Sequence, residues 1–115
     1  MARYTGFFVI ATPIEELRLM LIEILETCNL DMMYETPSSI ICREVIGRVP
    51  VPQLVTVEVV FDTATSTDSE TKMTLVIKNE ELPLKVNNHC RQMFDYISKL
   101  IIDNREWELL ESIAL

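Results

Sequence analysis

Glycine is almost missing from this chain, with Gly6 and Gly47 the only two in 115 residues. That scarcity excludes glycine-rich phosphate loops and long flexible linkers. Histidine and tryptophan each occur once, as His89 and Trp107. The three cysteines, Cys28, Cys42 and Cys90, are odd in number and widely separated. Neither a secreted disulfide framework nor a short-spaced zinc ligand pair fits them, and a reducing compartment does. Positive charge is also in short supply. Ten bases against eighteen acids leave a net charge of −8, and the bases are scattered from Arg3 to Arg105. Such a field repels phosphate backbones and anionic headgroups, so nucleic acid and membranes are not expected partners. No apolar run reaches transmembrane length. Phe7 to Ala11 is too short for a signal-peptide core and is followed by Glu15 and Glu16, so the expected location is cytoplasmic.

What is present suffices for a fold. The apolar share of 49% is that of a globular protein. A chain of this length buries roughly two-thirds of its unfolded surface and needs no metal or disulfide to hold it. One domain covering 1–115 is expected.

Residues 4–11 read as a central strand, apolar on both faces. Thr12-Pro13-Ile14-Glu15 reads as a helix start, with threonine at the N-cap, proline at the first helical position and glutamate in a capping box. Ile14, Leu17, Leu21, Ile24, Leu25 and Cys28 then recur at helical spacing, and Asn29 suits the C-terminal cap. Two short strands flank the turn cluster Thr36-Pro37-Ser38-Ser39. The stretch Gly47 to Pro52 is an ordered loop, because two prolines remove donors and fix the chain. Val55, Val57, Val59 and Phe61 alternate with polar or outward residues. Met73, Leu75 and Ile77 do the same after the turn Thr63–Ser69, making an antiparallel hairpin with opposite charges placed to pair across its outer face. Asn87 or Asn88 caps a long helix whose stripe is Cys90, Met93, Phe94, Ile97, Leu100 and Ile101. The stripe loses phase near Asp103. There the helix either continues with a bend or restarts as a second, shorter helix capped by Asp103 and Glu106 and carrying Trp107, Leu110 and Ile113.

The order β-α-β-β-β-β-α defines an α+β fold, a mostly antiparallel sheet of about five strands with helices on one face. In element order alone it is similar to helix-grip and TATA-binding-protein-like domains, which implies a curved sheet around a long helix and nothing about function.

The chemistry is thin. His89 and Cys90 are adjacent on a helix and so point about 100° apart, which reads as a surface histidine beside a buried thiol. Glu15-Glu16 and Glu80-Glu81 read as solvated carboxylates, since working acids need burial to shift their pKa. No catalytic, cofactor-binding or metal-ligating residue is assigned, and no cofactor is implied. Six methionines, including Met32-Met33, suit either core filling or an adaptable surface. Tyr4, Phe8, Ile10, Val60 and Val76 are expected on a second sheet face, apolar beyond what a core requires. Trp107, Leu110 and Ile113 are the candidate partner-binding residues, with docking of their segment onto the fold as the plainer alternative.

Arg3-Tyr4-Thr5-Gly6, Val57-Glu58-Val59, Lys78-Asn79-Glu80-Glu81-Leu82-Pro83-Leu84 and Asn88-His89-Cys90-Arg91-Gln92-Met93-Phe94-Asp95 resemble a family of small uncharacterised proteins of cyanobacteria. The resemblance spans nearly the whole chain and implies a bacterial cytoplasmic setting, with no activity to carry over. The expected function is a non-enzymatic protein-interaction module, an adaptor, assembly factor or small chaperone binding another protein or itself. The alternative is a carrier of a small apolar ligand, held in a cavity lined by Phe61, Met73, Leu75, Met93 and Phe94.

Overall fold

The structure is a computed structural model and describes residues 1–84 and 87–115. In it the apolar run at the start becomes β1 (Ala2–Ile10). Alternate residues Ala2, Gly6, Phe8 and Ile10 are buried on one face. Gly6 allows a close approach, because a Cβ there would lie 3.2 Å from both the Phe94 and Phe8 rings and would push them aside by a few tenths of an ångström. The next segment, α1 (Ile14–Glu26), buries Leu17, Leu21 and Leu25 as its spacing dictates.

The expected capping box at its start is not made. Pro13 occupies the N-cap position with no side-chain cap bond. Thr12 turns inward instead, and its carbonyl accepts a 2.6 Å bond from the Thr71 hydroxyl. At the other end Thr27 is the C-cap, and Asn29 takes the left-handed conformation, φ 62°, that redirects the chain.

A hairpin follows, β2 (Leu30–Thr36) and β3 (Ser39–Glu44), closed by Pro37 and Ser38 with Thr36 and Ser39 hydroxyls 2.8 Å apart. After a short 3-10 turn (Val51–Gln53) come β4 (Thr56–Phe61) and β5 (Thr71–Asn79). Asp62 organises the turn between them. The hydroxyl and N–H of Thr65, helped by the N–H of Ala64, hold its carboxyl below the usual range. Of the expected cross-strand charge pairs, Asp62 does lie opposite Lys72, its N–H on the Lys72 carbonyl at 2.8 Å, whereas Glu58 lies opposite Val76 and Lys78 opposite Thr56.

The second helix, α2 (His89–Ile102), starts at Asn88, whose side chain accepts from the Arg91 N–H at 3.0 Å. It buries Cys90, Phe94, Ile97 and Ile101 and stops at Asp103. No helix follows. The chain turns at Asn104, which accepts the Glu106 N–H at 2.7 Å, and runs back as a sixth strand, β6 (Leu109–Ala114), against β1. Both expectations for this end, a bent helix or a short second one, are therefore replaced by a strand. Period-2 alternation in Leu109–Ala114 is obscured by a register shift at its start.

The six strands form one open antiparallel sheet in the order β2-β3-β4-β5-β1-β6, with both helices on one face. Strand and helix residues close a single core that includes Leu17, Leu21, Ile40, Val57, Leu75 and Ile97. Among the described residues, no helix lies on the opposite face of the sheet.

Candidate functional site

Polar side chains converge at the start of α2. The Glu81 carboxylate accepts from Asn79 Nδ2 at 2.6 Å, from the Cys90 N–H at 3.0 Å and from the His89 N–H at 3.2 Å. It is a buried negative charge at the positive end of a helix, not the solvated carboxylate expected from its loop. Sequence spacing could not reveal that α2 begins against residue 81. His89 is likewise no free surface group. Its Nε2 lies 2.8 and 3.0 Å from the two oxygens of Glu44, which is buried and also accepts the Val55 N–H. Cys90 faces the other way, its thiol donating to the Ile77 carbonyl at 3.4 Å. This contact ties the end of β3 to the start of α2, and the Cys90 thiol points away from it.

All three cysteines are buried. Burial is the main cause that pushes the Cys90 thiol up to about 12 and Cys42 up to about 11, with smaller contributions from Glu81 in the first case and from Glu26 and Cys28 in the second. Cys28 is raised too, again chiefly by burial. Neutral buried thiols of this kind are poor nucleophiles. Among the described residues, no three histidine, cysteine or acidic side chains come together as metal ligands, and no helix is long and apolar enough to cross a membrane.

Phe61, Met73, Leu75 and Phe94, expected to line a ligand cavity, belong to the packed core, with Met93 at its border. An open cleft of about 730 Å³ lies elsewhere, between the outer flanks of α1 and α2. Met20, Ile24, Tyr96 and Leu100 form its apolar part, and Lys99 and Arg105 stand on its rim.

The most extended feature is the bare sheet face. Register places Tyr4, Gly6, Phe8 and Ile10 opposite Ile77, Leu75, Met73 and Thr71, so these belong to the helix side. Tyr4, Phe8 and Ile10 therefore do not share a face with Val60 and Val76, contrary to expectation. A one-residue difference in pleat flips a whole strand, and β1 is apolar on both sides. Phe7 and Val9 take their place. One row across the strands runs Ser39, Val60, Thr74, Phe7, Ile113, and the next runs Tyr34, Ile41, Glu58, Val76, Thr5. Phe7 is 41%, Val60 39%, Ile113 46% and Tyr34 60% exposed. Between Phe7, Val9, Thr74 and Ile113 is a hollow of about 210 Å³, with Lys72 and Glu111 beside it. A third row aligns Arg3, Lys78 and Arg43, with Thr56 between the last two. Asp31 ends the row opposite Arg43, so three bases and one acid stand along one side of the apolar belt.

The three candidate residues separate. Trp107 is buried, 7% exposed, with its indole N–H donating to the Ile101 carbonyl at 3.1 Å. It packs the β6 approach onto α2 and is no surface anchor. Leu110 and Ile113 are exposed on β6, and Ile113 lies beside Phe7. Phe7, Tyr34 and Ile41 were passed over in the sequence. Only cross-strand register joins them, although the alternation within β1 carries half of the signal. No family model, curated protein or solved structure matches the chain.

Proposed function

We propose that this domain is a non-enzymatic protein-interaction module, an adaptor, assembly factor or small chaperone of the bacterial cytoplasm. The observation that carries the reading is the apolar belt of Tyr34, Val60, Phe7 and Ile113 on a sheet face that neither helix covers. Apolar surface gathered on one face and flanked by charge marks interaction sites. The hollow beside Phe7 has room for one aliphatic or aromatic anchor. The row Arg3, Lys78, Arg43 favours a partner with an acidic flank.

A photo-crosslinking residue substituted for Phe7 tests this in cells of the natural source. It should trap a defined polypeptide that the same residue at Leu19, exposed on α1, does not. No adduct at position 7, or the same adducts at both positions, would sink the reading.

A second reading, carriage of a small apolar ligand, is favoured by the cleft between α1 and α2, whose volume lies in the range of small-molecule sites. Native mass spectrometry of protein from its source would then show a few hundred daltons of extra mass that is lost with Leu100→Glu. A bare mass in both would remove it.

A further inference from the structure

We infer that β6 is a self-pairing edge, through which two copies of this chain join their sheets antiparallel about a two-fold axis at Ile113. The inference rests on the interaction reading only in using Ile113, and its test separates the two.

The two edges of the sheet are unlike. At β2 the register shifts between Met32 and Tyr34, acids stand at Asp31 and Glu35, and Arg18 of α1 bridges to Glu35 at 2.6 Å. Bulges and charges of this kind block strand addition. At β6 the irregularity is confined to the start, near Leu110, and Glu111 is the single charged residue of Leu109–Ala114.

The hydrogen-bond phase of β6 follows from one contact. The Leu115 N–H donates to the Thr5 carbonyl at 2.9 Å. Bonded and non-bonded pairs alternate in an antiparallel ladder, so Ile113 and Glu111 also bond to β1. Ser112 and Ala114 must then direct their N–H and C=O groups to the open edge.

Charge chooses between the two registers that bring Ser112 into a bonded pair. Pairing Ser112 with Ser112 of a second copy would leave the two Glu111 carboxylates on a diagonal of roughly 7–8 Å, a repulsive contact. Pairing Ser112 with Ala114 of the second copy sets Glu111 opposite Leu115. The two acids are then about 13 Å apart along the strands, beyond the roughly 8 Å screening length of physiological salt. That register makes Ile113 its own neighbour in a non-bonded pair, where side chains approach most closely. Phe7 flanks Ile113 in each copy, so the apolar pair of Phe7 and Ile113 continues into its copy across the axis. An edge this short buries less than a standard interface of about 1,600 Å², and a dimer in the micromolar range is expected.

The test uses the full chain in sedimentation equilibrium and in oxidative crosslinking with diamide. The wild type should rise from 13.3 kDa towards twice that mass as concentration increases. Ser112→Pro removes an outward N–H at an edge that tolerates proline, and should stay monomeric with an unchanged circular dichroism spectrum. Ile113→Cys should give a covalent dimer at least tenfold faster than Glu111→Cys, the buried native thiols adding no background. A wild type that is monomeric at about 200 µM, a Ser112→Pro variant that still dimerises, or equal crosslinking at 111 and 113 would each overturn the inference. Capture of a different polypeptide at position 7 would persist in a monomeric Ser112→Pro variant, so the interaction reading stands or falls separately.

Discussion

Replacing Trp107 by alanine should damage the fold itself. The side chain sits where the loop after α2 turns into β6, with 7% of its surface exposed and its N–H on the Ile101 carbonyl. Ile101 is in the last turn of α2, where carbonyls have no partner within the helix, so the indole satisfies one of them. A buried tryptophan removes about 150–250 Å² from water, worth about 4–6 kcal/mol at 25 cal/mol/Å². Measured truncations of this kind cost about 3–5 kcal/mol, because the cavity partly collapses. Against a total of about 5–15 kcal/mol for a domain, that loss is large. Trp107→Phe keeps most of the ring and gives up chiefly the hydrogen bond, costing about 1–2 kcal/mol. Urea unfolding followed by far-ultraviolet circular dichroism measures both, since the chain's one tryptophan is what is being replaced. An alanine variant within about 1 kcal/mol of wild type, at unchanged m-value, would refute the packing of this residue and the course of the chain into β6.

Other consequences are equally direct. Leu17→Ala should cost about 2–5 kcal/mol, while Leu19→Ala, two residues along α1 but 61% exposed, should stay within about 0.5, both read from urea midpoints. Glu81→Ala leaves the His89 and Cys90 N–H groups at the start of α2 without their acceptor and Asn79 Nδ2 with only the Gln53 carbonyl, and a loss above about 2 kcal/mol is expected in the same assay. The buried thiols make the fold sensitive to alkali. Cys42 and Cys90 keep their protons to about pH 11 and 12 when folded but release them near the ordinary 9.0 when unfolded. Their contribution is therefore complete below pH 9 and falls as pH rises through those values, by at most about 1 kcal/mol per pH unit for each thiol. Stability of Cys90→Ala should decline less steeply than wild type between pH 9 and 11. Parallel slopes would show that Cys90 does not hold its proton.

What could be read from the sequence was what local periodicity encodes. The stripes of α1 and α2, the β4–β5 alternation, the Pro37-Ser38 turn and the Asn88 cap each depend on residues a few positions apart. The α+β class and the element order follow from them, with the last strand missing. Errors arose where a distant partner overrides local preference. Thr12 is buried against the sheet, where its carbonyl meets the Thr71 hydroxyl, and Glu81 leaves solvent to receive α2. The segment after Asp103 forsakes its helical spacing to pair with β1. The site was hidden for the same reason. Phe7, Val60 and Ile113 come from three separated parts of the chain, and only the register of β4, β5, β1 and β6 makes them a surface.

That register also places an unusual demand on β1. It precedes both of its partners in the chain, yet it lies inside the sheet, meeting β5, where Ala2 pairs with Asn79, and β6, where Gly6 pairs with Ala114. Both closures span most of the chain, and non-local pairing of this kind slows folding. Until β5 is available, Phe7, Phe8, Val9 and Ile10 form an apolar, β-prone run with both edges bare, the pattern that favours association with other chains. The helix that follows offers an early remedy, since α1 can collapse on the β2–β3 hairpin through Leu21, Leu25, Leu30 and Ile40 without β1. In the finished fold the hazard is only half removed. β5 covers one edge of β1 and β6 the other, but Phe7 still faces outwards and β6 becomes the new edge. A face and an edge are thus left apolar beside the strand that is hardest to protect, and these are the surfaces on which the proposed contact with another chain depends.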